Sequence, residues 1–411
     1  MTAIATARPY RGVPALLPDP ALDYAVRRRV GLAWGLLVLN ALTFYPGVSA
    51  LPIPSSIGKL ITQGALPAAI VVALSANRRG VIRPNVLLCL LCLLVIDATV
   101  SCFQPQHLGT IYRTFRLAEF VATLWLLSPW WGRRDLLLVR CHLMAIGTLL
   151  ASVLLGALPF KSHAFPASVE GRLTGAIWPV PATQVAHYAA VTVGLVALLW
   201  LGRRVSGKVA GVVIFLGLIT LLLTHTRTAL AAMSLGLIVA GLSMLRVSGR
   251  MRKFFAWAAA IAGITAITGA GLITTWLARG QGASQLDKLT GRTVVWAQLV
   301  SYPRSTFQMI FGFGLSNSSF NGLPIDSNWL SSYEELGLWG VVVCAIILVY
   351  LLISAFFAPR GLERAMALFL ITYCLIASFT ETGFTDASTY MLDVVLAASL
   401  LVSPVRGRSP A

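Results

Sequence analysis

The sequence predicts an all-α polytopic membrane protein with about twelve transmembrane helices and one long outward loop. The 411-residue chain is 57% hydrophobic and only 11% charged, with a mean hydropathy of +0.81, whereas soluble proteins carry about 25% charged residues. Its apolar residues fall into runs close to the ~20 residues that a helix needs to cross a bilayer. In a soluble protein the net charge of +18 would suggest nucleic acid; here it is a question of membrane topology, and no nucleic-acid partner is expected.

The apolar runs mark the candidate spans. They lie near 31–48, 61–76, 85–103, 117–132, 136–159, 183–201, 209–224, 228–246, 254–277, 336–357, 365–380 and 388–404. We therefore expect a cytoplasmic tail at 1–30, a transmembrane domain at 31–404 and a second cytoplasmic tail at 405–411. The break at His225-Thr226-Arg227 decides the order of the later spans. Without it, 209–246 would form one helix of about 57 Å, too long for a single crossing of a bilayer roughly 30 Å thick.

The distribution of positive charge predicts the orientation. Most Lys and Arg residues fall on the same side as the basic segment Arg27-Arg28-Arg29, and cytoplasmic segments carry such an excess. Both termini are then cytoplasmic, and the polar insertion at 278–335 faces outward. A one-sided polar segment of this length is where a membrane protein is expected to do its work, so we predict a multi-pass protein of the cytoplasmic (inner) membrane with its active site on the outer face.

Arginines on the predicted outer face are the first candidate site residues, because topology does not explain them. Arg227 is the sharpest case, since it separates two apolar runs with almost no loop to solvate it. The alternatives are that these arginine side chains snorkel to the interface or, for Arg172, that it pairs with Glu170. Guanidinium groups bind phosphate oxygens through paired hydrogen bonds. The outer face has no paired carboxylates for a metal, so we predict a phosphate site with no metal and no other cofactor, formed by Arg113, Arg116, Arg172, Arg227 and Arg292.

Carboxylates and aromatic residues of the outer face are the second group of candidates. Asp326 precedes a span and could accept a proton from a hydroxyl; the alternative is an N-cap or Asx-turn aspartate. Asp97, Glu119 and Asp393 fall within or at the edges of spans, where we expect them to pair with Arg113 or Arg116 or, failing that, to line a polar path. Further candidates for contacting a substrate are His225, Trp296, Asn328, Trp329, Glu335 and Glu381.

Three motifs carry a family resemblance. They are Gly171-Arg172-Leu173-Thr174-Gly175, then Thr226-Arg227-Thr228-Ala229 opening a span, then a long loop with Gly291-Arg292, Phe311-Gly312-Phe313-Gly314 and Glu335-Leu336-Gly337-Leu338-Trp339-Gly340. In this order, over roughly residues 90–400, the chain resembles the O-antigen ligase and O-antigen polymerase superfamily, membrane glycosyltransferases of the C-type that use polyprenyl-diphosphate-linked sugars.

The resemblance implies transfer of a glycan from a polyprenyl-diphosphate-linked donor to a hydroxyl of an acceptor glycan or glycolipid, without metal and with inversion. Arg172, Arg227 and Arg292 match the arginines that hold the diphosphate. Ligases of the family commonly carry His-Asn-x-aromatic-Leu before Glu-Leu-Gly, whereas this chain has Asp326-Ser327-Asn328-Trp329-Leu330. The expected base is then Asp326, which favours a polysaccharide polymerase.

Other functions remain open at the level of sequence. An O-antigen-type ligase acting on a lipid or cell-envelope acceptor is one alternative. A flippase or exporter of lipid-linked glycans is another, for which charged residues should follow the whole transport path. An interaction protein of an envelope complex would not need the arginines.

Overall fold

The computed structural model describes residues 23–44, 49–51, 53–103, 108–245, 249, 253, 292–316 and 318–402. It is mostly helical, with 73% helix and 1% strand. Numbered in chain order among these residues, the helices are α1 (Tyr24–Asn40), α2 (Ser55–Ala76), α3 (Val86–Ser101), α4 (Leu108–Leu127), α5 (Leu137–Ala157), α6 (Lys161–Ala164), α7 (Ala182–Leu201), α8 (Gly207–Leu223), α9 (Arg227–Met244), α10 (Arg292–Ser301), α11 (Thr306–Phe311), α12 (Asn328–Phe357), α13 (Leu362–Ala377) and α14 (Thr389–Leu401). Two antiparallel strands, β1 (Ser319–Phe320) and β2 (Leu323–Pro324), form a hairpin.

The predicted apolar runs correspond to helices. Every run except 254–277, which lies outside the described residues, overlaps one of them. Five helices, α2, α5, α7, α9 and α12, are long and apolar enough to cross a membrane, and α3, α8 and α14 are apolar but shorter. The helical membrane-protein class is therefore supported, whereas the prediction of about twelve crossings is not confirmed.

The predicted break between the seventh and eighth runs is confirmed. α8 ends at Leu223 and α9 begins at Arg227. The turn between them contains His225 with a φ of +49°, a left-handed conformation that stops a right-handed helix. The Arg227 side chain therefore starts from the first residue of a helix.

α7 lies at the centre of the helix packing. In its most apolar stretch 89% of residues are buried, against 33–39% in the other four candidate spans. Phe369 of α13 fits between two glycines, because a Cβ on Gly194 would lie 1.9 Å from Phe369 Cζ and one on Gly236 would lie 2.9 Å from Phe369 Cδ2. Small residues let apolar helices approach closely, so this contact fixes α7, α9 and α13 together.

The first described helix begins before the first predicted span. α1 begins at Tyr24 rather than near residue 31, and the Asp23 carboxylate caps it by accepting from the Ala25 N–H at 3.3 Å. The basic residues that suggested a tail have partners here. Arg27 donates to the Asp135 carboxylate, and Arg29 Nη1 donates to the Ser75 carbonyl at 3.2 Å. These contacts let a charged segment continue the helix.

The predicted outward loop is folded where it is described, over 292–316 and 318–335. Four buried residues form a hydrophobic cluster separate from the main core: Val295, Leu299, Phe320 and Ile325. We call this segment the loop unit. The part of the prediction at 278–291 lies outside the described residues.

Two glycine motifs join the loop unit to α12. A Cβ on Gly337, at a φ of +62°, would lie 2.4 Å from Ile310 C, and one on Gly312 would lie 2.4 Å from Glu335 C. The Phe313 and Gly314 N–H groups donate to the Glu334 and Glu335 carbonyls, both at 2.8 Å. The positive φ and the close backbone approach explain why the motifs need glycine.

Candidate functional site

A polar cavity of about 460 Å³ lies at the end of the helices that carries the loop unit, and we call it the loop cavity. The end of α1, the start of α2, α4, the start of α7, the loop unit and the α13–α14 turn all contribute to it. The side chains that matter for its chemistry are Arg113, Arg116, Gln184, His187, Asp326 and Glu381. Four of the predicted site residues therefore meet at one cavity.

Arg113 and Arg116 belong to α4 and are three residues apart, so they share a face of the helix. Arg116 Nη2 donates to the Asn40 side-chain oxygen at 2.6 Å, and its guanidinium lies 5.9 Å from the centre of the Tyr112 ring. Asn40 in turn donates to the Ala387 carbonyl at 3.3 Å. The Arg116 guanidinium is thus held at the cavity wall by a partner that is itself fixed.

Asp326 forms an ion pair with Arg292, with Nε 3.1 Å from Oδ2. The side chains of Arg292 and Asp326 are 25% and 37% exposed, respectively, and Asp326 lines the cavity. Asp326 has a φ of +46°, and the residue that precedes α12 as its N-cap is Ser327. The interpretation of Asp326 as a helix cap is therefore wrong, and the carboxylate points its charge at Arg292.

Glu381, in the turn between α13 and α14, is the titratable group whose environment suits proton transfer. The pKa of its carboxyl is raised to about 7: burial is the largest cause and the nearby Asp326 charge also raises the pKa, whereas Arg292 and Arg172 lower it. The like charge of Asp326 and the opposite charges of the two arginines act on one carboxyl. These four residues are therefore within electrostatic reach of one another.

Arg172 is positioned by its glycine motif. A Cβ on Gly175 would lie 2.0 Å from the Trp178 carbonyl oxygen, so only glycine fits this turn. The Leu173 N–H donates to the Leu223 carbonyl at 3.0 Å, and burial lowers the pKa of the Arg172 guanidinium. This turn presents Arg172 to the end of α8.

The guanidinium of Arg172 is bonded to the α8–α9 turn. Nε donates to the Thr224 carbonyl at 2.8 Å and Nη2 to the Thr226 hydroxyl at 2.9 Å, and neither bond involves Glu170. The Thr380 hydroxyl donates to the Thr228 hydroxyl at 2.9 Å, which joins the start of α9 to the turn that carries Glu381. Arg172, His225 and Arg227 thus form one group beside the cavity, and none of the three is among the described residues that line it.

The other predicted contact residues hold the loop unit in place. Trp296 Nε1 donates to the Ile325 carbonyl at 2.6 Å, and Trp329 Nε1 to the Ser378 hydroxyl at 3.1 Å. The Asn328 side-chain oxygen accepts from the Phe384 N–H at 2.8 Å. The structure thus uses a polar atom of each of these three side chains within the protein.

Glu335 is also an internal residue. It is 2% exposed. Its Oε1 accepts from the Ser316 N–H, the Ser316 hydroxyl and the Ser318 N–H at 2.9–3.0 Å. A buried carboxylate with three donors on one oxygen organises the surrounding backbone. We assign Glu335 to the structure of the loop unit.

Sequence reasoning missed a buried group beneath the cavity. His142 Nε2 lies 3.1 Å and His187 Nε2 lies 3.0 Å from the two oxygens of Asp393, whose side chain is 0% exposed. Trp34 Nε1 donates to His142 Nδ1 at 3.2 Å. Nδ1 is then an acceptor, so the proton of the neutral His142 ring is on Nε2, facing Asp393.

This group corrects one expectation. Asp393 pairs with two histidines and not with Arg113 or Arg116. His187 also lines the loop cavity, and its Nδ1 has no hydrogen-bond partner among the described residues. The three residues come from α5, α7 and α14, and no spacing in the sequence relates them, so only the packing reveals the group.

The loop cavity combines the guanidiniums of Arg113 and Arg116 with three carboxylates, those of Asp326, Glu381 and Asp386. Within the described ranges, no three His, Cys, Asp or Glu side chains come together in a way that could hold a metal ion. Guanidiniums can bind an anionic leaving group, and a carboxyl with a pKa near 7 can exchange a proton at neutral pH.

Comparison with known proteins adds no family. The chain matches no protein-family model, and none of the curated proteins matches it. A function must therefore be argued from the loop cavity itself.

Proposed function

We propose that the protein is a glycosyltransferase that moves a glycan from a polyprenyl-diphosphate-linked donor to an acceptor hydroxyl at the loop cavity. The observation that carries this proposal is the meeting of Arg113, Arg116, Asp326 and Glu381 at one cavity, with Arg172 and Arg292 close enough to act on Glu381. The resemblance of the three motifs agrees with it. Polymerisation is favoured over ligation because the family's usual histidine position holds Asp326.

The reaction requires the site to do two things: first to stabilise the departing diphosphate, and second to accept a proton. The acceptor hydroxyl oxygen attacks the anomeric carbon, and the bond from that carbon to the diphosphate breaks. The departing polyprenyl diphosphate takes the bonding electrons, so negative charge develops where guanidiniums can stabilise it. The hydroxyl proton passes to a carboxylate. Attack on the face opposite the leaving group inverts the configuration.

The arginines suit the first task. Arg113 and Arg116 project from one face of α4 into the cavity, and Arg172 is fixed to the α8–α9 turn, next to Arg227. Guanidiniums that are already held in position need no reorganisation when charge develops. We assign diphosphate binding to Arg113 and Arg116, with Arg172, Arg227 and Arg292 as the supporting positive field.

The environments of the two carboxylates separate their roles. Asp326 is ion-paired with Arg292 at 3.1 Å, which ties its charge to the loop unit. Glu381 is held by burial near a pKa of 7, the range in which a general base works best at neutral pH. We therefore favour Glu381 as the proton acceptor. Asp326 is the alternative base that the sequence suggests, and here it raises the basicity of Glu381.

The number of spans, the cytoplasmic termini and the outward position of the cavity belong to the same proposal. The loop unit and the cavity share one end of the helices. The arginines that the charge rule assigns to the cytoplasm, such as Arg133, Arg204 and Arg364, lie around a different cavity. This segregation supports an outer-face active site in the cytoplasmic membrane.

The test uses the purified full chain in lipid nanodiscs with a polyprenyl-diphosphate-linked oligosaccharide labelled in its sugar. We expect release of polyprenyl diphosphate and a lengthened glycan, with kcat/KM reduced about 100-fold or more in Arg113→Gln/Arg116→Gln. Arg78→Gln/Arg79→Gln, which removes two exposed arginines outside the cavity, is the matched control. Intact donor after prolonged incubation, with acceptor present, would contradict the proposal.

One observation favours a second candidate, an exporter of the same lipid-linked glycans. Asp97, His142, His187 and Asp393 are buried ionisable groups within apolar helices, and such groups often mark transport paths. An exporter would move labelled donor between the leaflets of a vesicle without cleaving it. The nanodisc assay therefore separates the two functions, because only the transferase releases polyprenyl diphosphate.

A further inference from the structure

A second cavity, of about 350 Å³, lies at the end of the helices opposite the loop unit. α5 and α13 begin there, and α12 and α14 end there. From Gly337 to the end of α12 at Phe357 the helix covers about 30 Å, the thickness of a bilayer core. α14 lines both cavities, with residues 389 and 390 in the loop cavity and residues 399–402 in the second, so about 14 Å of helix separates the two linings there.

Four arginines line this second cavity: Arg133, Arg134, Arg204 and Arg364. We call it the arginine cavity. The acidic side chain in its lining is Glu363, which belongs to the first turn of α13, where the helix dipole favours an acid. Among the lining residues, four guanidiniums therefore face one carboxylate. An anion would be attracted to such a cavity.

Arg364 provides a donor that the protein does not use. Its Nη1 donates to the Ala358 carbonyl at 3.2 Å, which closes the turn between α12 and α13. Its Nε is buried and has no hydrogen-bond partner among the described residues. A buried donor without an acceptor is unfavourable. A ligand oxygen at this position would remove that cost.

The carboxylate that pairs with Arg133 is shared with a second arginine. Arg133 bonds Asp135, with Nη2 3.2 Å from Oδ2, but the same carboxylate also accepts from Arg27. Asp135 is therefore shared between two arginines and lies outside the cavity lining. The exposed Arg204 brings a further positive charge to the rim.

The walls of the arginine cavity are apolar. They consist of side chains from the start of α5, the end of α14 and the segment before α5, among them Trp130, Leu137, Leu138, Leu400, Leu401 and Val402. An inorganic anion would use only the arginines. A molecule with an anionic head and a hydrocarbon chain would use both parts of the lining, because burial of apolar surface adds to the attraction between opposite charges.

We propose that the arginine cavity binds an anionic glycerophospholipid, with its phosphate among the arginines and the first part of an acyl chain along the leucine walls. Basic cavities between membrane helices on the cytoplasmic side bind anionic headgroups by this combination. The site is separate from the loop cavity. The proposal therefore does not depend on glycosyl transfer.

The experiment measures lipid binding to the full chain. Purified protein is titrated with phosphatidylglycerol or, in parallel, phosphatidylcholine, and bound lipid is counted by native mass spectrometry. We expect preferential binding of phosphatidylglycerol and a loss of about thirtyfold in its affinity in Arg204→Gln/Arg364→Gln. Arg79→Gln/Arg360→Gln, which removes two exposed arginines outside the lining, should bind as the parent does.

A single variant and a competition with inorganic phosphate complete the experiment. Arg204→Gln alone changes an exposed side chain, so it should fold normally and still lose part of the affinity. Equal loss in the control pair would overturn the proposal, because the effect would then be general surface charge. Inorganic phosphate is added as a competitor in the millimolar range. If phosphate displaces the bound lipid, and phosphatidylglycerol binds no better than phosphatidylcholine when phosphate is left out, the cavity is a phosphate site and the lipid proposal fails.

Discussion

The loop cavity and the arginine cavity lie at opposite ends of the same helices, and both contain arginines. They differ in what accompanies the guanidiniums. At the loop cavity Arg113 and Arg116 stand beside Asp326 and Glu381. At the arginine cavity four guanidiniums meet one carboxylate and apolar walls. Arginine with a basic carboxylate can support a reaction, whereas arginine with hydrocarbon walls can support binding alone. The number of arginines is therefore a poor guide to which end is reactive.

The largest expected effect separates the carboxylates of the two cavities. Glu381→Gln should lower the rate of glycan transfer by about 10²–10⁴, because the proton acceptor is lost. Asp326→Asn should have a smaller effect if it acts on Glu381 and not on the substrate. Single-turnover assays with labelled donor measure both.

Glu363→Gln is the control at the arginine cavity and should transfer at the parent rate. Two results would remove the distinction between the cavities. One is normal transfer by Glu381→Gln, which would return the role of base to Asp326. The other is a loss in Glu363→Gln as large as that in Glu381→Gln.

The next effect concerns the histidine–aspartate group beneath the loop cavity. Asp393→Ala should lower the free energy of unfolding by about 3–5 kcal/mol, because two buried histidines lose their acceptor. Denaturant unfolding in detergent measures this. Asp386→Ala, which removes a partly exposed carboxylate near the same end, should cost far less. Equal stability of the two variants would mean that the 3.0 and 3.1 Å contacts do not hold the helices together.

The glycine at the joint of the loop unit gives a smaller effect. Gly337→Ala places a Cβ 2.4 Å from Ile310 C at a φ of +62°, and the strain alone is about 1–3 kcal/mol. We expect faster proteolysis of the loop unit and weaker transfer, with lipid binding at the arginine cavity unchanged. Gly64→Ala in α2, where a Cβ meets nothing within 4 Å, is the control. A wild-type proteolysis rate in Gly337→Ala would contradict the assigned joint.

The smallest effect is a pH dependence confined to the loop cavity. Since burial raises the pKa of Glu381 to about 7, and the base must be deprotonated, transfer should fall about tenfold per pH unit below pH 7. The free energy of unfolding should change in the opposite direction and fall as pH rises from the ordinary glutamate range towards 7. In that range the folded state keeps a proton that the unfolded chain has already lost. A pH–rate profile measures the fall in transfer below pH 7. This acidic limb of the profile should disappear in Glu381→Gln, and its persistence would assign the titration to another group.

Much of the fold follows from local sequence. Apolar runs became helices because a backbone in an apolar environment must satisfy its hydrogen bonds internally. The break before Arg227 followed from length alone. The start of α1 did not, because Arg27 and Arg29 look like a solvated tail until their partners, Asp135 and Ser75, are brought near by folding.

The candidate site was predictable in part. Side chains that stand out in an apolar chain, such as Arg113, Arg116, Asp326 and Glu381, do meet at one cavity. Trp296, Asn328 and Glu335 were also predicted to contact a substrate, and each has a polar atom that is bonded within the protein. Sequence position shows that such residues are near a site. It does not show whether a hydrogen bond goes to the protein or to a ligand.

Local sequence was enough to predict the helical membrane class and the break before Arg227. Both depend on composition and length. Which charges meet depends on how the helices pack. Packing puts Glu381 and Asp326 on one cavity, brings His142 and His187 within 3.1 Å of Asp393, and gathers four arginines around an apolar cavity. It also brings the backbone so close at Gly312 and Gly337 that only glycine fits. Electrostatic energies depend on distance and burial, and residues far apart in sequence acquire both only when the helices pack.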